Sequence, residues 1–239
     1  MSLLSIIQRV ARGTSIPVPT VVIGNTDRQI IQLLEMAQEE GEDLASRTRW
    51  SRMTLENTFT QVAAADQGLL NSAVVAAGDF DYVLNDTMWN RDTSLPILGS
   101  LNAVDWQTLQ AFPVTGPYQQ YKIEGGHLYF DPVGANATDT IAFHYKSTSW
   151  CESSGGTGQA LWAADNDVGR LDETIMRLGI RWRWRKEKGL EYAQDFDVYE
   201  NRILDSIGRD GGAPRLTLAG GVRHRLPGVM VPLGSWSVS

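Results

Sequence analysis

The spacing of apolar residues changes twice along this chain, from helical to alternating and back to helical. Residues 2–12 place Leu3, Leu4, Ile6, Ile7 and Val10 on one helical face that ends at Gly13. Pro17 and Pro19 make 14–24 an extended linker, because proline lacks the amide donor and biases its predecessor away from helix. A second helix follows, with Asn25 or Thr26 as its cap and Asp27 in its first turn. Ile30, Leu33, Leu34, Ala37, Gly41, Leu44 and Ala45 recur at spacings of three and four, and Glu35, Gln38, Glu39, Glu40, Glu42 and Asp43 take the other face. That spacing predicts a solvated or subunit-facing acidic surface.

Between about 50 and 150 the period shortens to two. Segments 52–62, 119–124, 127–131 and 139–147 alternate and are rich in β-formers. Gly125 and Gly126 join two of them as a hairpin, supplying the positive φ of a tight turn. Asn102 is placed to cap a short helix, AVDWQTLQAF, that stops before Pro113. From about 166 to 207 no proline occurs, and Ile175, Leu178, Trp182, Ala193, Phe196, Ile203 and Ile207 trace one stripe. This predicts a single helix of roughly 35 residues, about 50 Å long, with Gly189 as the point of interruption. The segment 208–239 is dense in glycine and proline, yet holds Leu216, Leu218, Val229, Met230, Val231 and Trp236. Such a segment builds no core of its own and reads as an arm that orders against another surface. The expected class is α+β. A helical bundle core is assigned to 1–50 plus 160–207, an inserted β-rich domain to 51–159 and an extended arm to 208–239.

Composition narrows the chemistry. The 239 residues carry a net charge of −7, against a chain coated in positive charge for nucleic acid. Cys151 is the only cysteine, so neither an intramolecular disulfide nor a thiolate zinc site is available. The opening MSLLSIIQRVARG is the reverse of a secretory signal, and no apolar run reaches membrane-spanning length, so a soluble protein with no membrane partner is expected. His127, His144 and His224 lack metal-ligand spacing, and neither a GxSxG elbow nor a phosphate loop occurs. Asp79/Asp81 and Asp165/Asp167 are spaced for turn hydrogen bonding. No catalytic, cofactor or metal residue is assigned, and the chain is expected not to be an enzyme.

One stretch stands out. Residues 170–188 hold seven cations against three acids, a local net charge of +4 in a chain that is −11 elsewhere. On a helix Arg177, Arg181, Arg185 and Lys188 fall on one side, with Trp182 and Trp184 interleaved. Arginine beside tryptophan can grip nucleic acid, or the stripe can pair with Glu35, Glu39 and Glu42 of the acidic helix, in the same or a neighbouring subunit. Helix-to-helix pairing is the favoured reading. DNA binding by 170–188 is the alternative, and a cell-wall hydrolase using the acids of 35–43 is a third.

Three stretches together resemble the head-to-tail adaptor family of short-tailed bacteriophages, also called tail tubular or tail accessory proteins. The first runs from Leu3 to Trp50: a short helix, an IPVP linker and a helix of the form T-D-x-Q-x-x-Q-L-L-x-x-A-x-E-E-G-x-x-L-A ending in tryptophan. The second, Tyr82 to Ala111, is similar to the family's W-x-R-x-x-x-x-P-I-x-G-x-L-x-x-x-x-W region, here Trp89 to Trp106. The hairpin YKIEGGHLYFDP, the strand IAFHYKSTSW and the helical stretch 170–207 follow in family order. The resemblance covers most of residues 3–207. It implies a virion protein made in the host cytoplasm and placed at the head–tail junction. It further implies a homo-oligomeric ring of about twelve subunits beneath the portal protein, meeting a downstream tail or nozzle protein and tail fibres. Such a ring continues the channel through which DNA passes during genome ejection, without sequence-specific binding. By the same analogy the C-terminal arm reaches the portal.

Overall fold

The computed structural model describes residues 2–112, 118–134 and 137–210. Both helical and alternating stretches appear, giving a mixed α and β architecture with small antiparallel sheets. Helix α1 (Leu3–Gly13) is capped by Ser2 and buries Leu3, Ile6, Ile7 and Val10. Its first amides are held from afar: Leu3 N–H donates to the Asp167 carbonyl and Leu4 N–H to that of Asp165, at 2.8 and 3.0 Å. The linker runs back beside α1, where Gln8 Nε2 donates to the Pro19 carbonyl (2.9 Å). Helix α2 (Arg28–Arg47) is capped by Asp27, whose side chain accepts from Gln29 N–H at 2.8 Å. This corrects the expected cap at Asn25 or Thr26 by one or two residues. Asn25 instead turns the chain one step earlier, accepting from Asp27 N–H.

The middle of the chain forms two sheets. Strand β8 (Thr140–Ser147) is the hub of the first, pairing along one edge with β1 (Thr54–Thr60) and along the other with β3 (Phe80–Val83) and β4 (Trp89–Asn90). Strand β5 (Leu95–Pro96) closes a hairpin on β4. The second sheet has the order β2 (Asp66–Leu69), β7 (His127–Asp131), β6 (Gln120–Glu124). Gly125 and Gly126 turn β6 into β7 with φ of +59° and +83°. Between β5 and β6, Asn102 caps α3 (Ala103–Ala111) by accepting from Asp105 N–H. Phe130, Phe143, Tyr121, Leu128, Ile141 and Leu70 fill the core of these sheets.

A third, small sheet of β9 (Cys151–Glu152), β10 (Gly158–Gln159) and β11 (Val168–Gly169) leads back to the helices. Here the sequence expectation needs correction. The stretch 166–207 is two helices, α4 (Glu173–Glu187) and α5 (Ala193–Arg209), that fold back on each other. Gly189 takes φ +67°, a left-handed position that ends α4 and costs a glycine little. Ile175, Leu178 and Trp182 before Gly189 and Phe196, Ile203 and Ile207 after it pack on the same core, whereas Ala193 of the predicted stripe is exposed. The residues expected to form the arm, Leu216, Leu218, Val229, Met230, Val231 and Trp236, lie outside the described residues, as does His224.

The helices enclose their own core, in which tryptophan is structural. Trp50 Nε1 donates to the Leu44 carbonyl (2.6 Å), Trp162 Nε1 to that of Ala37 (3.4 Å), and Trp150 packs edge-on against Trp162 with centroids 5.1 Å apart. Gly41 of α2 makes room for Trp150, since a Cβ there would sit 2.4 Å from the indole ring. Lys146, buried at the end of β8, ties the sheet to the helices by donating to the Ala45 carbonyl (2.8 Å). Gly41→Ala should therefore lower unfolding free energy by about 1–3 kcal/mol through overpacking, read as a lower denaturant midpoint at unchanged slope.

Candidate functional site

Helix α4 lies against both α2 and α5, and the seam where the three meet holds Glu40, Asp43, Arg47, Arg183 and Glu200. Its centre is Glu40, fully buried on the inward face of α2. Across from it Gly179 of α4 has no side chain, and a Cβ there would lie 2.0–2.2 Å from the Glu40 carboxyl atoms. One turn further along α4, Arg183 points back into the seam, with Nη1 3.0 Å from Glu40 Oε2 and Nη2 3.3 Å from Asp43 Oδ2. Arg47 reaches Asp43 at 3.0 Å and Glu200 of α5 at 2.8 Å, and its guanidinium lies over the Tyr199 ring, 5.5 Å from the centroid. The Tyr199 hydroxyl donates to Asp43 at 3.4 Å.

Two effects oppose each other at Glu40. Burial disfavours the carboxylate and is the larger, while Arg183 favours it; the outcome is a pKa raised from the ordinary 4.5 to about 8. The charge count agrees with a neutral acid. Arg183 and Arg47 are already balanced by Asp43 and Glu200, so a protonated Glu40 leaves the seam electroneutral and an ionised one adds an uncompensated negative charge. The Tyr199 phenol is pushed upward by its own burial and by Glu40 beside it, and so stays protonated.

The residues singled out from the sequence are distributed differently from the expected single stripe. Arg181 and Arg185 both pair with Asp195 of α5, Arg185 at 2.6 Å, clamping the two helices on either side of Gly189. Lys188 donates to Gln32 of α2 (2.9 Å) and sits over Trp184, 4.3 Å from the ring centroid. Arg177 is half-buried and has no ion pair among the described residues. Glu35 and Glu39 line a groove of about 430 Å³ between α2 and α4, and Glu42 accepts from Gln38 at 2.8 Å. Thus α4 does meet acidic α2, but chiefly through Arg183, Glu40 and Asp43. The sequence pattern predicts Glu40 on the polar face of α2, whereas the structure places it on the inward one. The clue was in the spacing, because position 40 follows 30, 33 and 37 at intervals of three and four and precedes Gly41. Gly179, four residues before Arg183, was the matching gap on α4.

The remaining acids hold the backbone. Asp165 accepts from the amides of Val22 (3.1 Å) and Ile23 (2.7 Å), and Asp167 from those of Ala163 (2.8 Å) and Ala164 (2.7 Å), which pins the linker and the start of α1. Asp79 accepts from the Tyr145 and Ser147 hydroxyls, at 2.8 and 2.5 Å. His127 lies 3.0 Å from Asp66, whose carboxyl is lowered first by the Gly68 amide and then by this histidine. Cys151 is buried, its Sγ against the Gln159 carbonyl (3.2 Å), and burial pushes the thiol up to about 12. Among the described residues no group of His, Cys, Asp or Glu is arranged to hold a metal ion, and no helix is long and apolar enough to cross a membrane. No protein-family model matches the chain, and no curated protein matches it significantly.

A carboxyl that holds its proton more tightly folded than unfolded adds stability that is complete below about pH 4.5 and is lost as pH climbs through about 8. Unfolding free energy should therefore fall between about pH 5 and pH 8 and level off above that, and Glu40→Gln should flatten that fall. Arg183→Met, which removes the cation paired with Glu40 and leaves Asp43 and Glu200 to share Arg47 alone, should cost about 3–5 kcal/mol, more at pH 9 than at pH 6. Denaturant titrations across the pH series check all three.

Proposed function

We propose that this protein is a non-enzymatic virion component, a subunit of the ring that joins the portal of a short-tailed phage to its tail and continues the DNA channel. In this reading the helices form a bundle from which the β-rich middle is inserted, and residues 208–239 form an extended arm that docks on the portal. About twelve copies close the ring, and tail or nozzle proteins cover its far side.

One observation carries the reading: the conspicuous polar groups are consumed in holding the chain together, while large apolar side chains remain outside. In the stretch similar to the adaptor family, Asn90 accepts from the amides of Asp92 and Thr93 (3.0 Å each) and donates to Asp139 (2.9 Å). Arg91 pairs with Glu56, and Trp106 is buried. These are scaffold roles. Meanwhile Val104 and Phe112 of the α3 region are 74% and 73% exposed, and Leu204, Leu161 and Leu190 more than half exposed. They are spread over α3, α5 and the connecting segments around Leu161 and Leu190, as suits a subunit covered by neighbours on several sides.

Against the DNA-binding reading stands the engagement of Arg181, Arg183 and Arg185 in ion pairs within the chain. Against a hydrolase using Glu39 and Glu40 stands the complete enclosure of Glu40, which leaves a polymeric substrate no access to it.

Asp210 accepts from the Ser51 amide (2.6 Å) and hydroxyl (2.5 Å), so a chain ending at Asp210 keeps this anchor. Such a truncation should unfold within about 1 kcal/mol of the full chain, a surface-type change, yet fail to bind portal-bearing particles in co-sedimentation. Undiminished binding by the truncated chain would remove the arm from this scheme.

A further inference from the structure

The groove between α2 and α4 has an apolar floor that includes Ile31, Met36 and Trp182. Ile31 is 43% exposed, and the Trp182 indole N–H is buried with no acceptor among the described residues. The rims carry an acidic surplus. Arg183 is committed to Glu40 and Asp43, leaving Glu39 4.0 Å from its Nε. Glu35 and Glu187 have no hydrogen-bond or ion-pair partner among the described residues. Of the two cations lining the groove, Arg183 and Lys186, the second has no carboxylate partner among the described residues and lies over Trp182.

The complement exists elsewhere on the same chain. Arg9 and Arg12 are exposed on α1 and likewise have no carboxylate partner among the described residues. The linker is fixed to the same helix by Gln8, with Val18 and Val21 46% and 47% exposed on either side of Pro19. The two prolines and the Asp165 clamp hold this edge in one shape, so little conformational entropy is lost when it docks.

We propose that the α2–α4 groove of one copy receives the α1–linker edge of the next copy, with Val18 and Val21 over the apolar floor and Arg9 and Arg12 against Glu35 and Glu39. This inference rests on the ring reading and names its subunit interface. A groove on one side and an edge on the other make a head-to-tail contact, the kind that propagates into a ring.

The test uses full-length protein with portal-bearing particles. Glu35→Arg and Arg12→Glu should each lower ring yield roughly tenfold or more through like-charge apposition, with thermal unfolding unchanged, and the two reversals in one chain should restore it. Glu35→Cys mixed with Arg12→Cys under mild oxidation should give disulfide-linked dimers and nothing larger, whereas one chain bearing both cysteines should give a ladder. Buried Cys151 does not compete. Wild-type ring yield from both reversals, loss without rescue, or absence of the cross-link would overturn this interface while leaving the ring standing. A wild-type protein that forms no ring would overturn both.

Discussion

The helical half of this protein depends on one close approach, that of α4 to α2 at Gly179. With no side chain at that position, the Glu40 carboxyl fits between the helices and Arg183 reaches it from one turn away. Removing a carboxyl from water is costly, and the seam meets that cost by leaving the acid protonated and balancing Arg183 and Arg47 with Asp43 and Glu200. Because Arg47 and Tyr199 extend the cluster onto α5, the orientation of three helices follows from a few hydrogen-bond-length contacts. Aspartates 165 and 167 do comparable work for α1 and the linker.

Much of this organisation was legible in the sequence because it follows from local rules. Alternation and the paired glycines marked β6, β7 and β8, and Asn102 marked α3. The single long helix failed for an identifiable reason. Periodicity reports which residues face a core, but not whether the chain reverses between them, and Gly189 decided the matter by adopting positive φ. The site was harder still. Glu40 is a charged residue at an apolar position, where its charge predicts a solvated face and its spacing the buried one. Helical phase groups Arg181 and Arg185 with Arg177 and Lys188, whereas their partner Asp195 lies beyond Gly189, where the chain reverses rather than being merely interrupted.

These internal commitments bear on function. Paired carboxylates, arginines next to tryptophans and a lone cysteine invite catalytic or nucleic-acid readings, but here each has a partner that gives it a structural task. What remains outside is an acidic groove with an apolar floor, a basic edge with two exposed valines, and scattered large apolar side chains. A subunit that meets copies of itself and other virion parts has use for all three, and under the proposed function such contacts would close a ring around DNA.

That setting is most directly tested by determining the mass of the full-length protein by native mass spectrometry, alone and after mixing with portal rings. The account predicts a single complex of defined stoichiometry, with about twelve copies seated on each portal ring. A protein that stays monomeric beside unaltered portal rings would contradict it.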